Sequence, residues 1–127
     1  METVNVVSAI IHDGDYMFVA QRGNGKCKGY WEFPGGKIEA NETDEEALVR
    51  EIQEELDVTI NVENFVENIV FPIPTRILNI RFYNASIKEG SIKLLEHSDS
   101  KWITKDSLDS VDWLPSDIQL INKLKTA

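Results

Sequence analysis

The sequence predicts a layered domain that mixes sheet and helix, of the α/β or α+β class. Three observations carry this expectation. Apolar, β-branched runs fill the start of the chain and recur beyond residue 58. One amphipathic helical pattern with its own start signal lies between them, and a second closes the chain. The elements follow one another without a regular strand–helix–strand rhythm, which argues against an all-parallel sheet.

Val4 to Ile11 is apolar and rich in β-branched residues, Asp13-Gly14 marks a turn, and Tyr16 to Ala20 forms a second apolar run. Two such runs around an Asp-Gly dipeptide predict a β-hairpin. Arg22 to Gly29 is polar and glycine-rich and predicts an exposed loop. Trp31-Glu32-Phe33 then leads into a Pro34-Gly35-Gly36 turn. A helix is predicted from about Thr43 to Leu56. Thr43 and Glu46 have the spacing of a capping box, and Ala47, Leu48, Ile52 and Leu56 supply the apolar stripe. Val58 to Val62 alternates with period two and predicts a strand. Phe65 to Phe71 and Thr75 to Ile87 predict two more, separated by Pro72 and Pro74, and Trp102-Ile103 a short one. Ser116 to Lys125 predicts a closing helix with Ile118, Ile121 and Leu124 on one face and lysines near its end.

A chain of 127 residues suits a single domain spanning 1–127. No apolar stretch reaches the roughly 20 residues of a membrane-spanning helix, so no membrane partner is expected. The start, Met1-Glu2-Thr3-Val4-Asn5, lacks the basic residues of a secretory signal. A lone Cys27 leaves no internal disulfide, and a reducing cytoplasm is the expected location. The formal net charge of −9 argues against a nucleic-acid polymer as partner, because such binding rests on Lys and Arg neutralising phosphates. A small phosphate-bearing ligand remains compatible if metal ions supply positive charge locally.

Glu51, Glu54 and Glu55 stand at i, i+3 and i+4, so a helix crowds their carboxylates together. None has a Lys or Arg four residues later to relieve the repulsion. A hard divalent cation resolves that conflict, since Mg²⁺ takes carboxylate and phosphate oxygens together. The competing reading is a solvated acidic face in which Arg50 pairs with Glu46 and Glu54 at i±4.

Gly36, five residues, Glu42, seven residues, then Arg50-Glu51-Ile52-Gln53-Glu54-Glu55-Leu56-Asp57-Val58 resembles the Nudix box, G-x₅-E-x₇-R-E-U-x-E-E-x-G-U, with U a bulky apolar residue. The one departure is Asp57 in place of glycine, at a helix end where a left-handed residue is required and Asp is a tolerated substitute. Trp31 to Glu39 resembles the MutT branch, which contains 8-oxo-dGTP and CTP pyrophosphohydrolases. The resemblance implies a Nudix fold, a mixed β-sheet sandwiched between helices with the box as a loop–helix–loop. It also implies Mg²⁺, with Mn²⁺ as a substitute, and attack by water on a nucleoside triphosphate to give monophosphate and pyrophosphate.

Residue roles carry over from the same resemblance. Glu51, Glu54, Glu55 and the Gly35 carbonyl match the family's metal ligands, and Arg50 matches the arginine that orients the carboxylates. Glu96, six residues before Trp102, matches a further metal-linked glutamate. Arg22 and Arg76 match substrate-contacting arginines, and Glu32 is a further expected substrate contact. Phe33 and Trp31 are placed either beside the base or, as aromatic residues more often are, in the core. Asp117 falls where MutT uses asparagine to hold the oxidised guanine. An ionised Asp only accepts hydrogen bonds, so it suits the cytosine amine better than guanine O6. A role for Asp117 as a simple helix-start residue stays open. The expected partner is thus a small nucleotide, cytosine (CTP, dCTP or 5-methyl-dCTP) slightly before 8-oxo-dGTP, acted on by a monomer or homodimer. Cleavage of another nucleoside diphosphate-X, or a non-catalytic nucleotide-binding module, are the remaining readings.

Overall fold

The computed structural model describes residues 1–127. Strands β1 (Glu2–Asp13) and β2 (Tyr16–Arg22) form the expected hairpin, with Asp13 paired to Tyr16 across Gly14-Asp15. Gly14 sits at φ +60, a left-handed conformation that glycine enters without steric cost. Next come β3 (Trp31–Glu32), β4 (Gly35–Lys37), α1 (Asp44–Leu56), β5 (Thr59–Ile73), β6 (Arg76–Glu89) and β7 (His97–Ile103). Two 3₁₀ turns, Lys105–Ser110 and Pro115–Asp117, lead into α2 (Ile118–Thr126).

The sheet runs β3-β2-β1-β6-β5, with β4 alongside β1 and β7 alongside β2. It is mixed because β1 and β6 are parallel, from Glu2 opposite Arg76 to Ile11 opposite Ala85. Residues Val7 to Ile11 of β1 are buried on both faces. Ile10 joins a cluster with Phe33, Phe82, Trp113 and Leu120 on the α2 side. Val7, Ala9 and Ile11 pack with Leu48, Ile52 and Leu56 on the α1 side. Each fully buried Leu or Ile contributes about 1.5–3 kcal/mol, so both helices are held to the sheet mainly by this stripe. The expected sheet between helices is therefore present.

Three local expectations are corrected. The two expected strands merge into one, β5, which starts at Thr59 rather than Val58 and whose register shifts between Val62 and Phe65 and again between Phe65 and Glu67. The strand lies at the sheet edge, so polar interruptions and Pro72 are tolerated where a central strand would lose ladder bonds. β7 begins at His97, well before Trp102. The turn at Pro115–Asp117 delays α2 to Ile118, which leaves Ile118 46% exposed and buries Leu120 in its stead, while Ile121 is buried as expected. The short strands β3 and β4 had no pattern of their own in the sequence.

Candidate active site

Helix α1 is placed by its caps. Thr43 accepts from the Glu46 amide and Glu46 accepts from the Thr43 amide, the reciprocal bonds of a capping box. At the other end Asp57 takes φ 57, ψ 37, the left-handed conformation required there, and its amide bonds back to the Gln53 carbonyl. Gln53 also donates to the Asp57 carboxylate at 3.0 Å, and Lys93 approaches it at 3.4 Å. Asp thus fills the position of the family's glycine.

Within this frame Arg50 makes a clasp. It donates to both oxygens of Glu42, at 2.7 and 2.9 Å, to Glu51 at 3.0 Å, and to the Lys37 carbonyl at 3.1 Å. Glu54 is reached only at 3.4 Å, and Glu46 not at all because it caps the helix. Of the two pairs that the solvated-face reading gave Arg50, the one with Glu54 is present at 3.4 Å and the one with Glu46 is replaced by Glu42. The Arg50 bonds hold the Glu42 carboxyl down to about 2. Beside them β4 passes so close that a Cβ on Gly36 would lie 2.1 Å from the Glu51 carboxylate. A side chain there would push the Glu51 carboxylate out of its Arg50 bond, whereas a Cβ on Gly35 would collide with the Val7 carbonyl of β1.

Two adjoining cavities lie along this seam. One, of about 490 Å³, is lined by Arg22, Gly23, Asn24, Glu32, Gly35, Glu55, Leu95, Glu96 and His97. The other, of about 200 Å³, takes Phe33, Arg76 and Asp117 into its wall and shares Arg22, Glu32 and Gly35 with the first. All five residues expected to contact substrate line the smaller cavity, and Gly35, Glu55 and Glu96 line the larger. Glu51 stands behind Gly36 and Glu54 is 55% exposed on the helix surface, so neither lines the larger cavity. Trp31 is buried in the core and lines neither cavity, so of its two expected placements the core is the one found.

The larger cavity is built to accept a cation at Glu55. Glu55 is only 7% exposed, and its Oε1 is buried without a hydrogen-bond partner. Burial, followed by the nearby charges of Glu32, Glu51 and Glu96, pushes its carboxyl up to about 9. Burial likewise raises Glu51, with Arg50 opposing. An orphaned carboxylate oxygen among like charges fits a divalent cation. No three His, Cys, Asp or Glu side chains are gathered closely enough to cage an ion by themselves. That suits Mg²⁺, which keeps several waters and shares its shell with substrate phosphates.

Asp117 corrects one step of the sequence reasoning. Its carboxyl is 3% exposed and accepts from the Phe33 amide at 3.3 Å. Burial, then the neighbouring Glu32, pushes it up to about 8. The group therefore holds a proton at neutral pH and donates as well as accepts. Treating it as an ionised acceptor overlooked its burial.

Sequence reasoning gave no role to His97 or Glu42. Glu42 occupies a fixed place in the box, and its spacing from Arg50 was the available signal. His97 lies opposite Arg22 across β2 and β7, a register that only the folded sheet reveals.

The NUDIX domain model matches residues 2–124. The chain is similar to the CTP pyrophosphohydrolase of Escherichia coli (strain K12), 31% identical over 122 residues, covering 95% of this chain and 90% of that one. It is also similar to the 8-oxo-dGTP diphosphatase of the same strain, 32% identical over 120 residues, covering 94% and 93%. Among solved structures, the E. coli ORF135 protein superposes with a TM-score of 0.84 at 30% identity, covering 96% of this chain and 88% of that one. The capped helix, the arginine clasp and the acidic cavity thus sit in a chain that belongs to the NUDIX domain family and is a hydrolase of phosphoric anhydride bonds in nucleotides.

Proposed function

We propose that the protein is a Mg²⁺-dependent nucleoside triphosphate pyrophosphohydrolase with a preference for cytosine nucleotides. The observation that carries this reading is the pair of joined cavities, one acidic and one smaller and more sheltered, with Arg22, Glu32 and Gly35 at their junction. The triphosphate lies in the larger cavity and the base in the smaller. Glu55, Glu96 and the Gly35 carbonyl line the larger cavity and would hold the metal, with Glu51 and Glu54 on the adjoining helix as the further expected ligands. Bound there, a divalent cation neutralises the phosphate oxygens and lowers the pKa of an attacking water.

The remaining work falls to this chain's own residues. Arg50 fixes the rotamers of Glu42 and Glu51 through its bonds, so the carboxylates are held in place before substrate arrives. Arg22 and Arg76 supply positive charge where the phosphates meet the base cavity. The Phe33 amide and the Asp117 carboxyl meet at the buried wall of that cavity, where a base edge can hydrogen-bond. Water adds to a phosphorus of the triphosphate, the P–O–P link breaks, and nucleoside monophosphate and pyrophosphate leave with the water's proton released.

A cavity of about 200 Å³ has room for a one-ring or a two-ring base, so the cytosine preference rests on the likeness to the CTP pyrophosphohydrolase. A second reading, 8-oxo-dGTP, is favoured by one observation: a protonated Asp117 can donate to an O6 acceptor as asparagine does. Pyrophosphate release from CTP, dCTP, 5-methyl-dCTP, dGTP and 8-oxo-dGTP, with Mg²⁺ and with EDTA, separates the two. Metal-dependent release peaking on a cytosine nucleotide supports the first. A peak on 8-oxo-dGTP supports the second, and no release from any of them removes both.

A further inference from the structure

We propose that His97 is a positioning residue that fixes the Arg22 guanidinium through Glu32, at the junction of the two cavities. The three side chains come from adjacent strands. Arg22 pairs with His97 across β2 and β7, and β3 brings Glu32 to the other edge of β2 by pairing it with Ala20. Glu32 uses both carboxylate oxygens. Oε1 accepts from Arg22 Nε at 3.1 Å, and Oε2 faces His97 Nε2 at 3.0 Å. A carboxylate held at both oxygens cannot swing, so the guanidinium on its far side is held too.

Exposure grades along this chain from pin to tip. The His97 side chain is 4% exposed, that of Glu32 15% and that of Arg22 43%. The buried end is thus the fixed one, and the exposed end is the one that meets ligand. The Nδ1 atom of His97 is buried without a partner. An orphaned buried polar atom costs about 1–3 kcal/mol, which an apolar side chain of similar shape would avoid. What the imidazole supplies against that cost is the Nε2 proton, aimed at Glu32. Space-filling alone does not call for it.

The proposal rests on the reading that Arg22 meets the substrate phosphates, and a double-mutant cycle tests the two separately. kcat and KM are measured, at saturating Mg²⁺ and with the nucleotide turned over fastest, for His97→Gln, His97→Asn, Arg22→Ala and the Asn/Ala pair. Glutamine carries an amide N–H at the depth of Nε2 and retains near-normal kcat/KM. Asparagine reaches only the depth of Nδ1 and lowers kcat/KM roughly tenfold, mostly through KM, a size typical of coupled contacts. In the Arg22→Ala background the asparagine change has no further effect. Additive losses, or equal losses for Gln and Asn, would overturn the positioning role while leaving Arg22 as a phosphate contact. An Arg22→Ala variant with unchanged kcat/KM would instead remove the reading beneath it. Circular dichroism of each variant shows that the fold is retained.

Discussion

Asp117 holds its proton in the folded chain because its carboxyl is buried with Glu32 nearby, and this has a measurable consequence for stability. The folded carboxyl titrates near 8 against an ordinary value of 3.8. Between those values the folded state binds one proton more than the unfolded state, so stability falls as pH rises. The contribution is fully present below about pH 4 and is lost as pH passes through about 8. Asp117→Asn removes the titration. Its stability relative to wild type should therefore improve by up to about 1.4 kcal/mol per pH unit between pH 5 and 8, then level off. Thermal melts of both proteins at pH 5, 6, 7, 8 and 9 check this. A pH-independent difference would mean that Asp117 is ionised in the folded state. Glu55 shows the same physics with a different outcome, since its orphaned oxygen sits in an open acidic cavity where a cation can meet it.

At the level of elements, helix α1 was legible because its signals are local. Thr43 and Glu46 are three residues apart, and the apolar stripe and the three glutamates follow helical spacing, so no tertiary information was needed. Thr43→Ala removes one half of the capping box and should cost ~1 kcal/mol. That is roughly 3–5 °C in Tm for a chain of this size, with pyrophosphate release at 25 °C unchanged. A loss of activity matching the loss of cap would show that the metal glutamates depend on the first turn of the helix. β3, β4 and the true extent of β7 were not legible. Each is short or polar and exists because β1 or β2 offers an edge to pair with. For the same reason His97 escaped notice, since its partnership with Glu32 depends on which strands flank β2. The protonation of Asp117 depends on burial that no local pattern encodes.

Across the whole molecule, a chain of net charge −9 binds a substrate that is itself anionic. The fold confines the crowded glutamates to one end of α1, places Arg22 in the walls of both cavities and puts Arg76 in the smaller one. On the proposed reading a divalent cation supplies the missing positive charge, and the central claim is that the buried carboxylate of Glu55 helps to hold it. The most direct test compares pyrophosphate release by wild type and Glu55→Gln over a Mg²⁺ titration, with thermal shift recorded at each point. Wild type should show saturable Mg²⁺-dependent turnover and stabilisation by the metal, as any ligand of the folded state gives. The glutamine variant should stay folded, lose turnover by at least about a hundredfold, as loss of a principal electrostatic group does, and require far more Mg²⁺ for any shift. Wild-type turnover at the same Mg²⁺ midpoint in Glu55→Gln would contradict the account.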